Sequence, residues 1–289
     1  MKIIAYVPKD NARHRDVLEA FAEGSKADIR YLGEPEPCDV AVIFGWLKDK
    51  TPAKKAMKLA AIDSARGSQN TIVLEEGFIE RGKYYSAGIG GITMRSSLAD
   101  QRVKPGRARA CGFSYQPWKC TDKIRKVLVI GQVPWDCTVQ HTDHLAWCIG
   151  VYGNLVASGF EVRFRPHPLV KPAVYKMDAF MDRANRSLDA DLAWADACVT
   201  FNSTTGVDAV LAGIPTIAED SGSMLWGKVA SPSRLMVSDP LLLSRGSWLD
   251  WIAGCQYSLH EMRSGLALPD TVWKIASREE SVCQGKALE

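Results

Sequence analysis

Residues 197–220 read ACVTFNSTTGVDAVLAGIPTIAED, and this stretch decides the fold. A short apolar run is followed by a loop of small hydroxyl residues and a glycine, then by a helix-like segment and a second apolar run. This order predicts strand, loop, helix and strand. The first amides of a helix have no partner within it, and the helix dipole is positive there. The loop therefore predicts either a phosphate site or a simple helix cap, because capping residues open most helices.

The rest of the chain repeats this alternation. Strands are predicted at 2–7, 39–44, 71–74, 126–130 and 161–165, and helices at 13–23, 52–66, 141–158 and 248–262. Alternating strands and helices predict parallel sheets covered on both faces, with ligands beyond the carboxyl ends of the strands. Residues 84–121 lack a clear pattern, so we expect irregular loops there. The predicted domains are 1–122, 123–247 and a C-terminal helix and tail, 248–289, near the domain interface.

The composition is that of an ordinary globular protein. The 289 residues are 46% hydrophobic and 24% charged, with a net charge of +3, which does not require nucleic acid and also suits an anionic small substrate. The eight cysteines form no C-x-x-C pair, which favours a reducing compartment. No apolar run has the length of a membrane helix or the features of a signal peptide. We therefore expect a cytoplasmic protein, with peripheral membrane contact left open.

Polar residues follow several of the predicted strands. In chain order they are Glu75 and Glu76; Gln132 and Asp136; Arg165 and His167; and Ser203, Thr204, Thr205 and Gly206. Arginine and histidine suit phosphate oxygens, whereas the two glutamates on their own are more typical of an exposed strand end than of catalysis. Successive strand side chains point to opposite faces, so only one of the two glutamates is expected in a site. Neither a P-loop nor a G-x-G-x-x-G motif is present, which argues against a P-loop NTPase and a common dehydrogenase.

Five motifs, in order, resemble the bacterial capsule polysaccharide synthesis family, which includes the β-Kdo transferases. They are Phe44-Gly-Trp46 with Lys48, Leu74-Glu-Glu-Gly-Phe78, Val127-Leu-Val-Ile-Gly-Gln-Val133 with Asp136, Arg165-Pro-His-Pro168, and Asn202-Ser-Thr-Thr-Gly206 with Gly213-Ile-Pro215. The resemblance implies an α/β GT-B glycosyltransferase, in which two Rossmann-like domains have parallel sheets facing across a cleft. The N-terminal domain would take the acceptor, and the second would take the nucleotide sugar.

The resemblance also implies residue roles. His167, Ser203 and Thr204 would hold the donor phosphate, Gln132 would lie along the nucleotide, and the neighbouring Asp136, Arg165, Thr205 and Gly206 would complete that site. Trp46 and Lys48 would lie on the acceptor side. Glu76 would take the place of the family's catalytic aspartate, with Glu75 beside it. The family usually has Glu-Asp-Gly-Phe, so the carboxylate here is one methylene longer, and the sugar, Kdo or hexosyl, stays open.

Three functions remain open from the sequence. The first is a metal-independent glycosyltransferase that uses a nucleotide sugar, a saccharide acceptor and no further cofactor. The second is a glycosyltransferase acting on hydroxymethylated bases of DNA, for which the basic stretch 95–109 would line the duplex. The third is a non-catalytic nucleotide- or sugar-binding protein of the same fold. The nucleotide base and the anomeric outcome are open in all three.

Overall fold

The structure is a computed structural model, and it describes residues 1–46, 52–139, 141–175 and 186–267. The chain divides into two compact units: the first is residues 1–104 together with the described residues from 251 onward, and the second is residues 105–250. This division differs from the boundaries after residues 122 and 247 that the sequence predicts. The chain returns to the first unit at residue 251, and residues 105–122 go with the second unit.

The described strands and helices alternate along most of the chain. They are β1 (Ile3–Val7), α1 (Ala12–Ser25), β2 (Asp28–Tyr31), β3 (Val40–Phe44), α2 (Pro52–Ser64), β4 (Thr71–Glu76), β5 (Tyr84–Ile89), α3 (Arg107–Ala110), β6 (Lys126–Ile130), α4 (His144–Ala157), β7 (Glu161–Arg165), α5 (Leu188–Trp194), β8 (Ala197–Thr200), α6 (Thr205–Leu211), β9 (Thr216–Ala218), α7 (Gly246–Gly254), β10 (Gln256–Ser258) and α8 (Leu259–Arg263). The exceptions are that β3 follows β2 and β5 follows β4 without an α-helix between them. None of these described helices is long and apolar enough to span a membrane.

The first unit contains a sheet with the strand order β10-β5-β4-β3-β1-β2 among the described residues. Strands β1 to β4 are parallel, whereas β5 runs antiparallel to both β4 and β10. On one face, α1 buries Val17, Leu18 and Phe21 against the sheet. On the other face, α2 buries Ala61 and Ile62. The central strands are covered on both sides, which explains their continuous apolar sequences.

Two stretches differ from the sequence expectation. Residues 84–121, expected as irregular loops, include β5, which is buried along its whole length. Residues 248–262, expected as one helix, form the end of α7, then β10 and most of α8. The buried Gln256 explains the second difference, because its Oε1 accepts hydrogen bonds from the amides of Phe78 (2.8 Å) and Ile79 (3.0 Å). Its Nε2 donates to the carbonyl oxygen of Ile79 at 3.1 Å.

The second unit contains an all-parallel sheet with the order β7-β6-β8-β9 among the described residues. The predicted strands at 126–130 and 161–165 are confirmed as β6 and β7, and 197–220 forms β8, α6 and β9 as predicted. Cys148 and Val151 of α4 pack on one face, whereas Leu192 of α5 and Ala209 of α6 pack on the other. The second unit is therefore a Rossmann-like layer of sheet between helices.

Both sheets contain a point where the strand order reverses. In the second unit the chain runs from β6 to β7 on one side, and then returns to the other side of β6 as β8. In the first unit the same reversal separates β1 from β3, since β2 lies on the far side of β1. Ligands of open α/β sheets bind outside the carboxyl ends of the strands at such switch points. The topology therefore indicates one candidate place in each unit.

Replacing Gln256 by methionine should destabilise the first unit. Methionine is close in length and apolar, but it leaves the amides of Phe78 and Ile79 without their acceptor, at a cost of roughly 2 to 5 kcal/mol for two buried donors. Urea unfolding of wild type and Gln256→Met measures the loss. The exposed Gln116→Met is the matched control and should unfold as wild type does. Equal midpoints for all three proteins would contradict the role given to Gln256.

Candidate functional site

Two amide side chains join the ends of β6 and β8 at the switch point of the second unit. Nε2 of Gln132 donates to Oδ1 of Asn202 at 2.6 Å, and the backbone amide of Asn202 donates to Oε1 of Gln132 at 3.0 Å. Gln132 is buried and Asn202 is partly buried. The Gln132 side chain, which the resemblance places along a nucleotide, thus lies buried at this edge of the sheet and holds the first residue of the loop 202–206.

The same network reaches a third strand end. Nδ2 of Asn202 donates to Oδ2 of Asp220 at 2.6 Å, and Asp220, two residues after β9, has a side chain only 5% exposed. Its Oδ1 lies 3.2 Å from Nε2 of His141, whose side chain is 46% exposed. The sequence analysis missed both residues. Gln132 was predicted because it is a polar residue that follows a strand, and the same reasoning applies to Asp220. His141 instead precedes a helix, so its position in the sequence does not mark it as a site residue.

Asp136 shapes the loop between β6 and α4. Its Oδ1 accepts hydrogen bonds from the backbone amide of Thr138 (3.0 Å) and from the Thr138 hydroxyl (2.9 Å). The carbonyl oxygen of Thr138 in turn accepts from Nδ2 of Asn202 at 2.9 Å. Asp136 therefore acts on the site through loop geometry, and direct contact with a nucleotide stays a prediction.

The hydroxyl-rich loop before α6 has a mixed character. Ser203 is buried and its Oγ accepts from the amide of Thr205 at 3.2 Å, whereas Thr204 is exposed and makes no side-chain cap bond. Gly206 is buried, and a Cβ there would lie 2.8 Å from Cδ1 of Leu225. Packing against Leu225 thus explains the glycine. The hydroxyls and amides of residues 203–205 stay the predicted phosphate contacts.

Arg165 and His167 have different hydrogen-bond partners. Nη1 of Arg165 donates to Oδ2 of the buried Asp191 at 2.7 Å, and Nε of Arg186 donates to Oδ1 of the same carboxylate at 2.9 Å. The Arg165 guanidinium is thus part of an ion cluster that holds α5 to β7. His167 is half-buried, and its Nδ1 accepts from the amide of Leu169 at 3.2 Å. In the neutral ring this bond leaves the proton on Nε2, the nitrogen that can donate to a ligand.

His144, the first residue of α4, lies buried beneath this edge. Its Nε2 accepts from the backbone amide of Gln132 at 3.1 Å, and its ring stacks on Trp147 with 5.3 Å between centroids. Burial lowers the pKa of His144 to about 4, because a charged imidazolium would lose its hydration there. A neutral ring that accepts at Nε2 carries its proton on Nδ1, so His144 supports the Gln132 turn as an uncharged acceptor.

The two glutamates of the first unit lie at the carboxyl end of β4. Oε2 of Glu76 lies 2.7 Å from Nη2 of Arg13, a residue of α1. Leu74, two residues earlier, packs in the core beneath α1, so the strand alternation puts Glu76 on that face and Glu75 on the opposite one. Only Glu76 therefore shares a face with Arg13, which agrees with the expectation that the two glutamates point to opposite faces.

A pocket of about 510 Å³ lies at the switch point of the first unit. Its lining combines apolar side chains with a charged rim, and it includes Lys9, Asp10, His14, Leu18, Ile43, Phe44, Lys54, Met57 and Lys58. The rings of His14 and Phe44 stack at 3.9 Å, and Lys54 pairs with Asp10 at 2.6 Å. This volume and mixture are typical of a small-molecule site.

Trp46 and Lys48, the residues predicted on the acceptor side, are close in sequence to Phe44, which lines this pocket. The carbonyl oxygen of Trp46 accepts from Nζ of Lys58 at 3.2 Å, and Lys58 lines the pocket. Lys48 lies outside the described residues. The structure thus connects Trp46 to the pocket through its backbone, and a direct contact between Trp46 and an acceptor stays a prediction.

Comparison with known proteins reveals similarity in structure alone. No protein-family model and no curated protein sequence matches the chain. Among solved structures, it is similar to Thermosulfurimonas dismutans KpsC, beta Kdo 2,4 transferase, with a TM-score of 0.55, 16% identity, and 88% of this chain and 90% of that chain covered. It is also similar to Thermosulfurimonas dismutans KpsC, beta Kdo 2,7 transferase, with a TM-score of 0.51, 14% identity, and 92% and 98% covered. The chain therefore has a GT-B-like α/β fold, as predicted.

His144 should make stability depend on pH. Its pKa in the folded state, about 4, lies below the ordinary 6.5, so the unfolded chain takes up a proton first as the pH falls. The stabilisation that comes from keeping His144 neutral is fully present above about pH 6.5 and is lost as the pH falls toward about 4. The free energy of unfolding should decrease by roughly 2 to 3 kcal/mol over this range. Urea unfolding across this range should give a flatter pH profile for His144→Gln than for wild type. Parallel profiles would contradict the buried, neutral imidazole.

Proposed function

We propose that this chain is a glycosyltransferase that moves a sugar, of Kdo or hexosyl type, from a nucleotide-sugar donor to a saccharide acceptor. The observation that carries the proposal is the network of Gln132, Asn202 and Asp220 at the switch point of the second unit. In a GT-B-like fold, this edge is where a nucleotide would bind. A network whose side chains already hold one another provides a fixed surface for such a ligand.

On the donor side, the proposed phosphate contacts are donors that need little rearrangement. The hydroxyls of Ser203, Thr204 and Thr205 and the amide of Thr204 lie at the start of α6, whereas the amides of Ser203 and Thr205 already donate to Thr200 and Ser203. His167 follows β7, and its Nδ1 accepts from the amide of Leu169. Fixed donors of this kind stabilise the negative charge that develops on a departing phosphate. Gln132 contributes by holding the loop, since both ends of its side-chain amide are bonded to Asn202.

We propose that the transfer needs neither a metal ion nor a further cofactor. The one Asp-x-Asp sequence with metal-like spacing in the second unit is Asp189-Ala-Asp191. Asp191 is buried and its two oxygens bind Arg165 and Arg186, so its charge is already balanced within the protein.

The seven described cysteines carry no disulfide, which fits a reducing cytoplasm.

On the acceptor side, we assign the pocket between β1 and β3 to the saccharide. Sugars present both an apolar face and hydroxyls, and the pocket offers the stacked rings of His14 and Phe44 beside Asp10 and Lys54. Glu76 is the proposed nucleophile or general base. Its carboxylate pairs with Arg13 at 2.7 Å.

A ligand screen tests the function. Thermal unfolding is followed with CMP, CDP, UDP and GDP, because a ligand at a hundred times its dissociation constant stabilises by about 2.7 kcal/mol. The nucleotide that raises the unfolding temperature identifies the donor class, and sugar transfer is then measured with the matching nucleotide sugar. Stabilisation by none of the four beyond that given by inorganic phosphate would refute the donor site. Binding without transfer to any saccharide would favour a non-catalytic protein.

Replacing Glu76 by glutamine should reduce turnover by a factor of roughly a hundred or more, since the variant keeps the shape but lacks the carboxylate charge. Donor affinity should stay as in wild type. Glu75→Gln is the matched control, because Glu75 lies on the opposite face of β4 and should affect transfer far less. Donor binding and transfer rates are measured for both variants. Near-normal transfer by Glu76→Gln would remove its catalytic role, and the reverse ranking would move that role to Glu75.

A further inference from the structure

The pair formed by His141 and Asp220 is a feature that the sequence motifs do not include. We propose that His141, oriented by Asp220, donates a hydrogen bond to the phosphate of the nucleotide donor. The proposal rests on the proposed function and adds one residue to its donor site. It starts from the position of the pair on the same edge as Gln132 and Asn202.

Asp220 is built to hold a partner in a fixed place. Its carboxylate accepts from Nδ2 of Asn202 (2.6 Å) and from the backbone amide of Gly222 (3.1 Å), both at Oδ2. Oδ1 is the oxygen that faces Nε2 of His141 at 3.2 Å. A buried carboxylate bound in this way has little freedom, because moving it would break bonds to two elements. It therefore fixes the orientation of the imidazole.

The ring of His141 is held on one side and accessible on the other. Nε2 faces the buried carboxylate, while close to half of the side chain is exposed and the ring lies against Phe201 with 5.6 Å between centroids. A carboxylate only accepts hydrogen bonds, so it keeps a proton on Nε2. The remaining nitrogen, Nδ1, points away from Asp220 and can contact a ligand. This is the arrangement by which an aspartate orients a functional histidine.

The charge of the surroundings suits an anionic ligand. An imidazole ring that bears a proton on each nitrogen donates to two acceptors at once, so Nε2 can bond the Asp220 carboxylate while Nδ1 donates to a bound phosphate. Asn202, which binds Asp220, directly precedes Ser203 in the loop proposed to hold the phosphate. His141 thus belongs to the same network as that loop. By contrast, the Arg165 guanidinium is bound to Asp191.

In the transfer step, the bond between the anomeric carbon and the phosphate oxygen breaks, and its electron pair stays on that oxygen. The acceptor oxygen forms the new bond to carbon and gives its proton to the general base. His141 keeps its own protons throughout and stabilises the increased charge on the phosphate by hydrogen bonding. No oxidant, reductant or further reactant is needed.

The test separates phosphate recognition from nucleoside recognition. Isothermal titration measures the affinities for CMP against cytidine and for UDP against uridine, and the ratio within each pair gives the phosphate increment. His141→Gln should reduce the increment of the binding pair by roughly 10- to 100-fold, as expected for one lost charge-assisted bond, and leave nucleoside affinity unchanged. His260→Gln, at an exposed histidine of α8, is the matched control and should keep the wild-type increment.

Asp220→Asn is the second variant. It preserves the size of the side chain and removes the charge that orients the His141 ring. The phosphate increment should therefore decrease, as in His141→Gln, while the affinity for the nucleoside stays unchanged. A wild-type increment in both His141→Gln and Asp220→Asn would overturn the inference and leave the proposed function intact. An equal loss of nucleoside and nucleotide affinity in His141→Gln would assign His141 a structural role instead. Wild-type protein with no increment for these two pairs, nor for GDP against guanosine, would refute the proposed function itself.

Discussion

The amide pair between Gln132 and Asn202 is the interaction on which the carboxyl edge of the second sheet depends. Where a buried strand ends, its backbone groups lose their ladder partners and need others. The backbone amide of Gln132 donates to His144, its carbonyl oxygen accepts from Tyr175, and its side chain binds Asn202. One residue therefore connects the ends of two strands and the start of α4. The loops that follow begin from fixed positions, which is the condition for a site with little reorganisation on binding.

Local pattern was sufficient for the buried parallel strands and insufficient for the antiparallel strands and for β2, a parallel strand that is largely exposed and has no apolar run. Strands β6 and β8 are continuous apolar runs followed by polar residues, and such runs are typical of buried parallel strands. Strand β5 contains serine, alanine and glycine, and it pairs with β10, a segment far away in sequence. The buried amide of Gln256 is acceptable only because Phe78 and Ile79 bind it. Periodicity within one segment carries no information about such a distant partner.

The expectation that ligands bind beyond the carboxyl ends of the strands located the candidate sites, but it did not assign a role to each residue there. Glu76, Gln132 and Ser203 lie at carboxyl ends as predicted, since that position depends only on strand limits. Glycines that look like phosphate-loop residues have another explanation. A Cβ on Gly131 would lie 2.7 Å from Cζ of Phe164, and one on Gly206 would lie 2.8 Å from Leu225. Close packing against these side chains favours glycine at both positions, so their presence in a motif does not by itself indicate a ligand.

Two buried carboxylates in the second unit show why neighbours decide function more than residue type does. A buried charge must be paired, and both Asp191 and Asp220 meet that demand. Asp191 pairs with Arg165 and Arg186, whose guanidinium charges are permanent, so the Asp191 charge is compensated by fixed ion pairs that hold α5 to β7. Asp220 accepts from the amide groups of Asn202 and Gly222 and faces Nε2 of His141, whose ring has a second nitrogen. The first cluster therefore stabilises the fold, whereas the second is where we infer a contact with the ligand, and this difference follows from the partners that the fold brings to each carboxylate.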